Sequence, residues 1–367
     1  MTFVEPIEQV GPKSPAGQIL RRYWQPVAVA RELEAGQARP LRILGEELTL
    51  FRGESGNPHV VGARCAHRYT WLHTGWVEED CIRCFYHGWK YDGSGQCVEQ
   101  PAESEVFAEK IQIPSYPTVE YAGLIFIYMG EEDLPPELPR FPELDDPTTT
   151  TIGSIRPPGP WPMNYFQAIE NHVDPVHIAF VHRASEPRWR EVPQITAERT
   201  DYGINMTATR SGVMRKTHYH FPQMIQIPLY LIPDDDAEFQ FFNWAVPLDD
   251  ENTMFIATTA IPDDLRDRIP KGLAGRLMES SAAPDLMAAT RRPQGLTEED
   301  YVAMVGQGTV ADRTNERLGQ SDVGVILLRR LWREKLDELE LRPAGTPDPD
   351  RRSSRPAVQN EGNVSAD

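Results

Sequence analysis

The sequence of 367 residues contains no run of about 20 apolar residues, the length that a membrane-spanning helix requires. Its N-terminus also lacks a basic stretch followed by an apolar one, so no secretory signal is evident and we expect a cytoplasmic protein. Basic residues are few relative to acidic ones, 37 against 55, and the formal net charge is −18. This charge argues against binding to the phosphate backbone of a nucleic acid. Cysteines number only four, which argues against a disulfide-based fold in a chain of this length.

Two of the four cysteines belong to a spaced pattern with histidines. Cys65 and His67 form C-x-H. After sixteen intervening residues Cys84 and His87 form C-x2-H, which runs into Gly88-Trp89. A Rieske [2Fe–2S] cluster needs two thiolates on one iron and two imidazoles on the other. The pattern therefore predicts a Rieske cluster with Cys65, His67, Cys84 and His87 as its ligands.

A zinc site is the alternative interpretation of the same region. Cys81 and Cys84 form a C-x-x-C pair, which could complete a tetrahedral site with Cys65 and His67. That arrangement leaves His87 without a role, so we favour the cluster. Cys81 and Cys97 are then expected to be free thiols.

The distribution of apolar runs, turns and 33 prolines predicts an α+β protein with two main domains. Short strand-like runs dominate up to about residue 130, and longer strands and helices follow from about residue 150. A helix-compatible segment extends from Tyr165 to His182, and two more helices are expected near 298–304 and 321–341. The predicted segments are an N-terminal helix and arm (1–23), an all-β module carrying both Cys/His loops (24–130), a Pro-rich connector (131–149), a mixed domain (150–341) and a disordered tail (342–367).

A second metal site is predicted in the mixed domain. Asp174, His177 and His182 form D-x2-H-x4-H, which can supply two imidazoles to a mononuclear iron, with a carboxylate from elsewhere. Residues five apart are about 140° out of phase on a regular α-helix, so the helix must end or widen between the histidines. The alternative is a plain helix with Asp174 as N-cap and Pro175 at its first position. The Rieske cluster predicted earlier in the chain transfers one electron at a time and needs an acceptor for these electrons, which favours the iron site.

With these motifs the chain resembles the oxygenase (alpha) components of Rieske non-haem iron ring-hydroxylating oxygenases, and most closely the phthalate dioxygenase-like and aryl O-demethylase branch. The resemblance extends from Arg22 to about residue 340. It implies a Rieske β-domain followed by a helix-grip catalytic domain, and a homotrimer. Apart from the metal motifs, the landmarks are Gly11-Pro12, Arg21 to Pro26, Glu170-Asn171, Gln307-Gly308, Asp312-Arg313-Thr314, Glu316, Leu318-Gly319, Ser321-Asp322 and Arg329-Arg330.

The resemblance also implies roles for individual residues. His177 and His182 are iron ligands. Asp174 bridges a cluster histidine of one subunit to an iron histidine of the next, and Asn171 is a further catalytic residue. The third iron ligand is Asp300, which precedes Gly308 by the usual eight residues. A capping box, Thr297-x-x-Asp300, is the alternative role for this aspartate. Rival carboxylates remain open, namely Glu298, Glu299, Asp285 and Asp312.

The function implied is that of a terminal oxygenase. It uses O₂ and electrons from NADH, delivered by a separate reductase with or without a ferredoxin, to hydroxylate or O- or N-demethylate a small aromatic compound. No G-x-G-x-x-G reductase motif follows a strand in this chain. The alternative is a Rieske electron carrier whose large domain only binds a partner; iron content separates the two, at about three irons per chain against two.

Substrate preference is open at this stage. Arg210, Arg215, Lys216, His218 and His220 could hold a carboxylate or sulfonate, or could form a solvated face. Phe241, Phe242 and Trp244 could line a pocket or pack in the core. The stretch from Tyr69 to His73 departs from the small residues usual in the family after the first cluster motif.

Overall fold

The structure is a computed structural model that describes residues 7–131, 134–156, 159–184, 189–230, 238–268, 286 and 292–340. The expected disordered tail and the rival ligand Asp285 lie outside these residues. The described residues form an α+β fold, as predicted, with no helix long and apolar enough to cross a membrane.

Eighteen strands lie within the described ranges and form four antiparallel sheets, in the orders β1-β11-β10, β2-β3-β4-β9, β5-β6-β7-β8 and β12-β18-β17-β16-β15-β14-β13. Their bounds are β1 (Gln25–Val29), β2 (Ala38–Ile43), β3 (Glu46–Arg52), β4 (Pro58–Gly62), β5 (Trp76–Glu78), β6 (Cys81–Arg83), β7 (Lys90–Asp92), β8 (Cys97–Glu99), β9 (Ser115–Tyr116), β10 (Thr118–Tyr121), β11 (Leu124–Ile127), β12 (Thr149–Ile155), β13 (Gln194–Arg199), β14 (Gly203–Arg210), β15 (Val213–His220), β16 (Met224–Tyr230), β17 (Glu238–Pro247) and β18 (Thr253–Pro262).

The α-helices of the described residues flank these sheets. They are α1 (Pro15–Arg21), α2 (Pro142–Asp145), α3 (Tyr165–His172), α4 (Ile178–Val181), α5 (Leu296–Val305) and α6 (Val323–Glu340). The last two match the helices expected near 298–304 and 321–341 to within a few residues.

The expected helix from Tyr165 to His182 is two helices in the structure. Asn164 begins α3 by accepting a hydrogen bond from the Phe166 amide, at 3.0 Å. The helix ends before Asp174-Pro175, because the proline ring excludes the preceding residue from helical backbone angles. The chain re-enters a single helical turn only at α4. The two histidines of the second motif therefore flank a short helix and do not share a long one.

A small core of its own surrounds the two Cys/His loops. These loops connect β4 to β5 and β6 to β7, at one end of the two four-stranded sheets. The buried residues packed beneath them are Phe51, Val61, Cys65, Leu72, Ile82, Cys84, Trp89, Tyr91, Cys97, Ala108 and Ile113.

The seven-stranded sheet has a cavity on one face. Successive side chains of a strand point to opposite faces, so Phe241 lines the cavity while Phe242 and Trp244 point away from it. On the far face Trp244 meets Phe126 of β11, with ring centroids 5.6 Å apart. The three-stranded sheet thus covers the outer face of the seven-stranded sheet, and one continuous core joins the two halves of the chain.

A buried ion-pair network joins the N-terminal arm to the catalytic half. Glu170 at the end of α3 binds Arg313 at 2.8 Å and accepts a hydrogen bond from Arg329 of α6 at 2.7 Å. Arg313 also binds Glu8 of the arm, at 2.6 Å. Breaking one partner of such a network leaves a buried charge uncompensated, which makes it costly to disturb. Glu170, Arg313 and Arg329, which are family landmarks, thus hold α3 in place.

Candidate metal centres and substrate cavity

The first Cys/His loop is held by local backbone hydrogen bonds. The Cys65 amide donates to the Thr70 carbonyl, and the Tyr69 amide donates back to Cys65, both at 2.9 Å. Tyr69 has a left-handed backbone with φ of 59°. The second loop is tighter: the Gly88 amide donates to the Cys84 carbonyl, and Gly88 adopts a φ of 74°, which a glycine tolerates without strain.

The four predicted cluster ligands meet between these loops. The rings of His67 and His87 are 4.5 Å apart, and both thiols are buried. The pKa of Cys65 is lowered to about 6, chiefly because the Cys84 thiol donates a hydrogen bond to it, and backbone amides of its own loop contribute. The Tyr91 hydroxyl lies 3.3 Å from the same sulfur.

The donor atoms of this group fit a Rieske cluster. The Nδ1 atoms of His67 and His87 are buried and make no hydrogen bond in the structure. Two thiols and two free imidazole nitrogens are the ligand set that such a cluster requires. Cys81 lies within β6, opposite Asp92, and burial raises the pKa of its thiol. The zinc alternative therefore has less support than the cluster.

Exposed aromatic side chains surround the cluster loops. Tyr69 is 75% exposed, and Trp76, Phe85 and Tyr86 are each at least half exposed. Trp71, in the stretch that departs from the family pattern, stacks under the Arg64 guanidinium at 3.2 Å from the ring centroid. We call Tyr69, Trp76, Phe85 and Tyr86 the aromatic rim. Apolar patches of this kind mark surfaces that contact another protein.

His177, His182 and Asp300 come together at the second centre. His177 immediately precedes α4 and His182 immediately follows it, which brings their rings to 5.6 Å. Asp300 approaches from α5, and its Oδ1 lies 3.2 Å from His182 Nε2 and 3.8 Å from His177 Nε2. One ligand atom from each residue lies within 4.8 Å of the others.

This triad fits a mononuclear iron. Asp300 Oδ1 is buried and accepts no well-formed hydrogen bond, although it faces two imidazole nitrogens. Two histidines and one carboxylate form the facial triad of non-haem iron oxygenases. The N-cap of α5 is Gly295, without a side-chain cap, so Thr297 and Asp300 do not form the alternative capping box.

Two charged residues that the sequence analysis did not assign hold this triad in place. Arg156 binds Asp300 Oδ2 at 2.6 Å. Burial opposes ionisation of Asp300, but Arg156 and the two histidines hold its pKa well below the usual range. Glu299 Oε2 lies 3.1 Å from His182 Nδ1 and so fixes that ring from behind.

The rival carboxylates occupy other positions. Glu299 lies on the far side of His182 from Asp300 Oδ1. Glu298 accepts a hydrogen bond from the Gln294 amide at 2.9 Å, and Asp312 accepts one from the Thr314 amide at 2.9 Å. Among the described candidates, Asp300 is the carboxylate that faces both histidines.

Asp174 closes a local turn before α4 and also lies beside His177; the N-cap of α4 is His177 and not Asp174. Its Oδ1 accepts a hydrogen bond from the Val176 amide at 2.8 Å, while Oδ2 is 3.9 Å from His177 Nδ1. Asn171 lines the cavity on the same segment. The structure thus places Asp174 next to one predicted iron ligand; its predicted contact with a cluster histidine would come from another subunit.

A cavity of about 350 Å³ adjoins the triad. Its wall is the inner face of the seven-stranded sheet, where alternate residues are mainly apolar, such as Ala208, Ile225, Ile227, Phe241 and Ala257. Arg210 and Arg215 also lie on this face. The other members of this basic group lie on β15 with side chains on the opposite face of the sheet, namely Lys216, His218 and His220. On that face His218 contacts Asn205 and Tyr202.

Trp189, which the sequence analysis missed, connects the basic end of the cavity to the triad. Its ring is 6.3 Å from that of His182, and the Arg215 guanidinium lies 6.0 Å from it. The indole thus lies between a cationic side chain and a predicted iron ligand.

Comparison with known proteins gives this arrangement a family. Residues 23–117 match the family described as Rieske [2Fe-2S] domain. The chain is 31% identical over 357 residues to the 5,5'-dehydrodivanillate O-demethylase oxygenase subunit of Sphingobium sp., covering 91% of this chain and 79% of that protein. The chain belongs to the Rieske non-haem iron oxygenases.

Two further comparisons agree. This Rieske oxygenase is 30% identical to phenoxybenzoate dioxygenase subunit alpha of Ectopseudomonas oleovorans over 357 residues, covering 90% and 84% of the two chains. The fold matches that of NdmA from Pseudomonas putida CBB5, with a TM-score of 0.70, 22% identity, and coverage of 88% and 92%.

These findings confirm several predictions made from the sequence. The family, the α+β fold with an N-terminal Rieske β-domain, the oxygenase activity and the two iron cofactors are confirmed. The protein is an oxygenase component that receives electrons from separate proteins. The alternative of a simple electron carrier is therefore not retained.

Proposed function

We propose that this Rieske oxygenase hydroxylates or demethylates an aromatic carboxylate. The observation that carries the proposal is an apolar cavity beside the His177/His182/Asp300 triad with two arginines, Arg210 and Arg215, on its wall. An aromatic ring suits the apolar wall, and a guanidinium binds a carboxylate in a bidentate manner. The two relatives above are named for aromatic carboxylates, dehydrodivanillate for the demethylase and phenoxybenzoate for the dioxygenase.

Each residue at the centre has a distinct task in this proposal. Cys65, His67, Cys84 and His87 would hold the cluster, and His177, His182 and Asp300 would hold the iron. When bound, the cluster would supply one-electron transfer and the iron would supply O₂ activation. Arg156 keeps Asp300 ionised and oriented, and Glu299 keeps His182 in one orientation. The sheet wall positions the substrate ring and excludes water from the site.

We also propose a homotrimeric cytoplasmic enzyme fed by an NADH-dependent reductase, with or without a ferredoxin. The aromatic rim supports contact between the cluster loops and another protein surface. A neighbouring subunit that presents Asp174 would complete the route from cluster to iron. The limits of the two domains, 24–130 and 150–341, belong to the same proposal.

Replacing Asp174 with asparagine should leave both metal centres in place but slow electron transfer about 10- to 100-fold. A carboxylate can accept N–H bonds from two imidazoles, whereas an amide has one acceptor and turns a donor towards the other ring. The asparagine side-chain oxygen can still accept the hydrogen bond from the Val176 amide, so the local turn is preserved. Stopped-flow oxidation of the reduced cluster by O₂, with substrate bound, measures the effect. A wild-type rate would leave Asp174 with a role in the local turn alone.

The proposed substrate class is tested by single-turnover product analysis with benzoates, phenoxybenzoates and their methyl esters. We expect oxygenated or demethylated products from the acids and little from the esters. In the Arg215→Gln variant the KM for the acids should rise roughly 10- to 100-fold, because a charge-assisted hydrogen bond is lost. Lys216→Gln is the matched control, since Lys216 is the next residue of β15 and faces away from the cavity. Equal turnover of acids and esters would exclude the carboxylate.

A further inference from the structure

A histidine and an asparagine with no assigned role meet on the cavity wall. His172 is the last residue of α3, and Asn243 lies in the middle of β17. The two side chains are in contact, with Asn243 Nδ2 3.3 Å from His172 Nε2. Both line the cavity beside the triad. This pair therefore lies where a bound substrate would touch it.

The histidine of this pair is neutral. Burial lowers the pKa of His172 to about 3, and Arg156 and His177 act in the same direction, against Asp300. The Asn243 side chain is likewise buried, at 3% exposure. A neutral imidazole offers one donor and one acceptor, and a primary amide offers two donors and one acceptor group.

Each member keeps one buried polar atom without a hydrogen-bond partner in the structure: Nδ1 of His172 and Oδ1 of Asn243. If the Asn243 amide donates to Nε2, the histidine proton is on Nδ1, and the pair offers that N–H as donor and Oδ1 as acceptor. If the amide is turned over, Nδ1 becomes the acceptor and the amide N–H₂ the donor. Either orientation offers one donor and one acceptor.

The surroundings of the pair do not satisfy these atoms. Across the ladder Asn243 is flanked by Ile225 of β16 and Ala257 of β18, and the ring of Phe255 lies 6.0 Å from that of His172. A buried donor and acceptor without partners disfavour the empty site and favour a ligand that supplies both.

We propose that His172 and Asn243 bind a hydroxyl group of the substrate, which donates one hydrogen bond and accepts the other. The inference rests on the proposed function in that the substrate is an aromatic carboxylate. A methyl ether only accepts, and a hydrogen substituent does neither, so each would leave the pair unsatisfied. His172 and Asn243 are thus specificity-determining residues that prefer hydroxylated over methoxylated or unsubstituted rings.

The register of the sheet places this pair far from the basic end of the cavity. Asn243 of β17 pairs with Ile225 of β16, and Ile225 pairs with Tyr219 of β15. Arg215 lies four residues from Tyr219 along β15. Two strand spacings and four residues correspond to about 10 Å across and about 14 Å along the sheet. The two recognition points would therefore contact opposite ends of one substrate.

The test is binding of 3- and 4-hydroxybenzoate, the corresponding methoxybenzoates and benzoate to the anaerobic holoenzyme, followed by isothermal titration calorimetry. We expect at least one hydroxybenzoate to bind roughly tenfold or more tightly than its methyl ether and than benzoate. In Asn243→Leu this preference should fall to within about twofold, while benzoate binding is retained. His172→Phe provides a second variant, in case the leucine disturbs the sheet.

Ser154→Ala is the matched control, because Ser154 is another polar residue of the same wall and lies on β12. It should keep the wild-type preference. Iron content and the cluster EPR signal of each variant verify its folding. If all benzoates bind equally to the wild type, or if both variants keep the preference, the hydroxyl inference is wrong while the carboxylate proposal stands. If none of the benzoates binds, the proposed function itself fails and the inference falls with it.

Discussion

A Cys84→Ser variant should be purified without the brown colour and the reduced-state EPR signal of the cluster. Cys84 is buried between the two loops, and its sulfur contacts that of Cys65. A serine hydroxyl is a harder ligand with a much higher pKa than a thiol and does not replace a thiolate on this kind of iron. The loss should be nearly complete, with iron falling from about three per chain to about one.

Cys81→Ser is the matched control for this result. Cys81 is three residues away in the same C-x-x-C pair, but it lies within β6 and outside the cluster loops. Its replacement should leave the absorption and EPR spectra unchanged. If Cys81→Ser loses the cluster while His87→Ala keeps it, the ligands are those of the zinc-type arrangement and our assignment is wrong.

An Asp300→Ala variant should lose the mononuclear iron and all turnover while the cluster spectrum persists. Asp300 Oδ1 faces both imidazole nitrogens, and without it the two histidines alone do not provide a facial triad. Removal also leaves the partly buried Arg156 beside two histidines without its anionic partner, which should repel a cation further. Iron analysis should give about two irons per chain.

Glu299→Gln separates the ligand from its neighbour. Glu299 is adjacent in sequence and equally buried, but it contacts His182 from the side opposite the proposed iron. Loss of such a supporting contact typically lowers metal affinity about 10- to 100-fold, so iron should return at higher concentration. Retention of iron in Asp300→Ala together with its loss in Glu299→Gln would transfer the ligand role to Glu299.

The four proposed cluster ligands could be grouped from the sequence, and the structure brings them together, because they are local. All four fall between residues 65 and 87, on two loops whose shape is set by nearby backbone hydrogen bonds. Helix geometry also indicated that His177 and His182 could not share one long regular helix, and in the structure α4 covers only the four residues between them. Short-range rules suffice for such features.

The rest of the site depends on contacts between distant parts of the chain. Asp300 could not be separated from Glu299 by sequence alone, because one step along α5 decides which carboxylate faces the histidines. Arg156 and Asn243 were missed because Arg156 follows the end of β12 and Asn243 lies on β17, far from the histidines in sequence. The sequence did contain one signal for the cavity wall. Because side chains alternate along a strand, Arg215 and the adjacent Lys216 must point to opposite faces of the sheet.

The connector and the small strands show the same limitation. Residues 131–149 were predicted as a linker, yet they contain α2 and lead into β12, which begins at Thr149. β12 is an outer strand of the large sheet, and its identity as a strand follows from pairing with β18 rather than from its own residues. Propensity is a weak guide where pairing decides.

The shared core has a consequence for exchanging parts between relatives. A chimera joined near residue 130 would set foreign strands β1, β10 and β11 against Trp244, and against Thr258, whose hydroxyl donates to Ala122 at 2.8 Å. Joins near residues 38 and 117 would instead transplant the small core and both cluster loops as one piece. The recombination unit for redox properties is therefore shorter than the matched Rieske region of residues 23–117. Its contacts with the main core still have to be kept, and they come from Ile43, Leu44, Leu48, Leu50 and Val60.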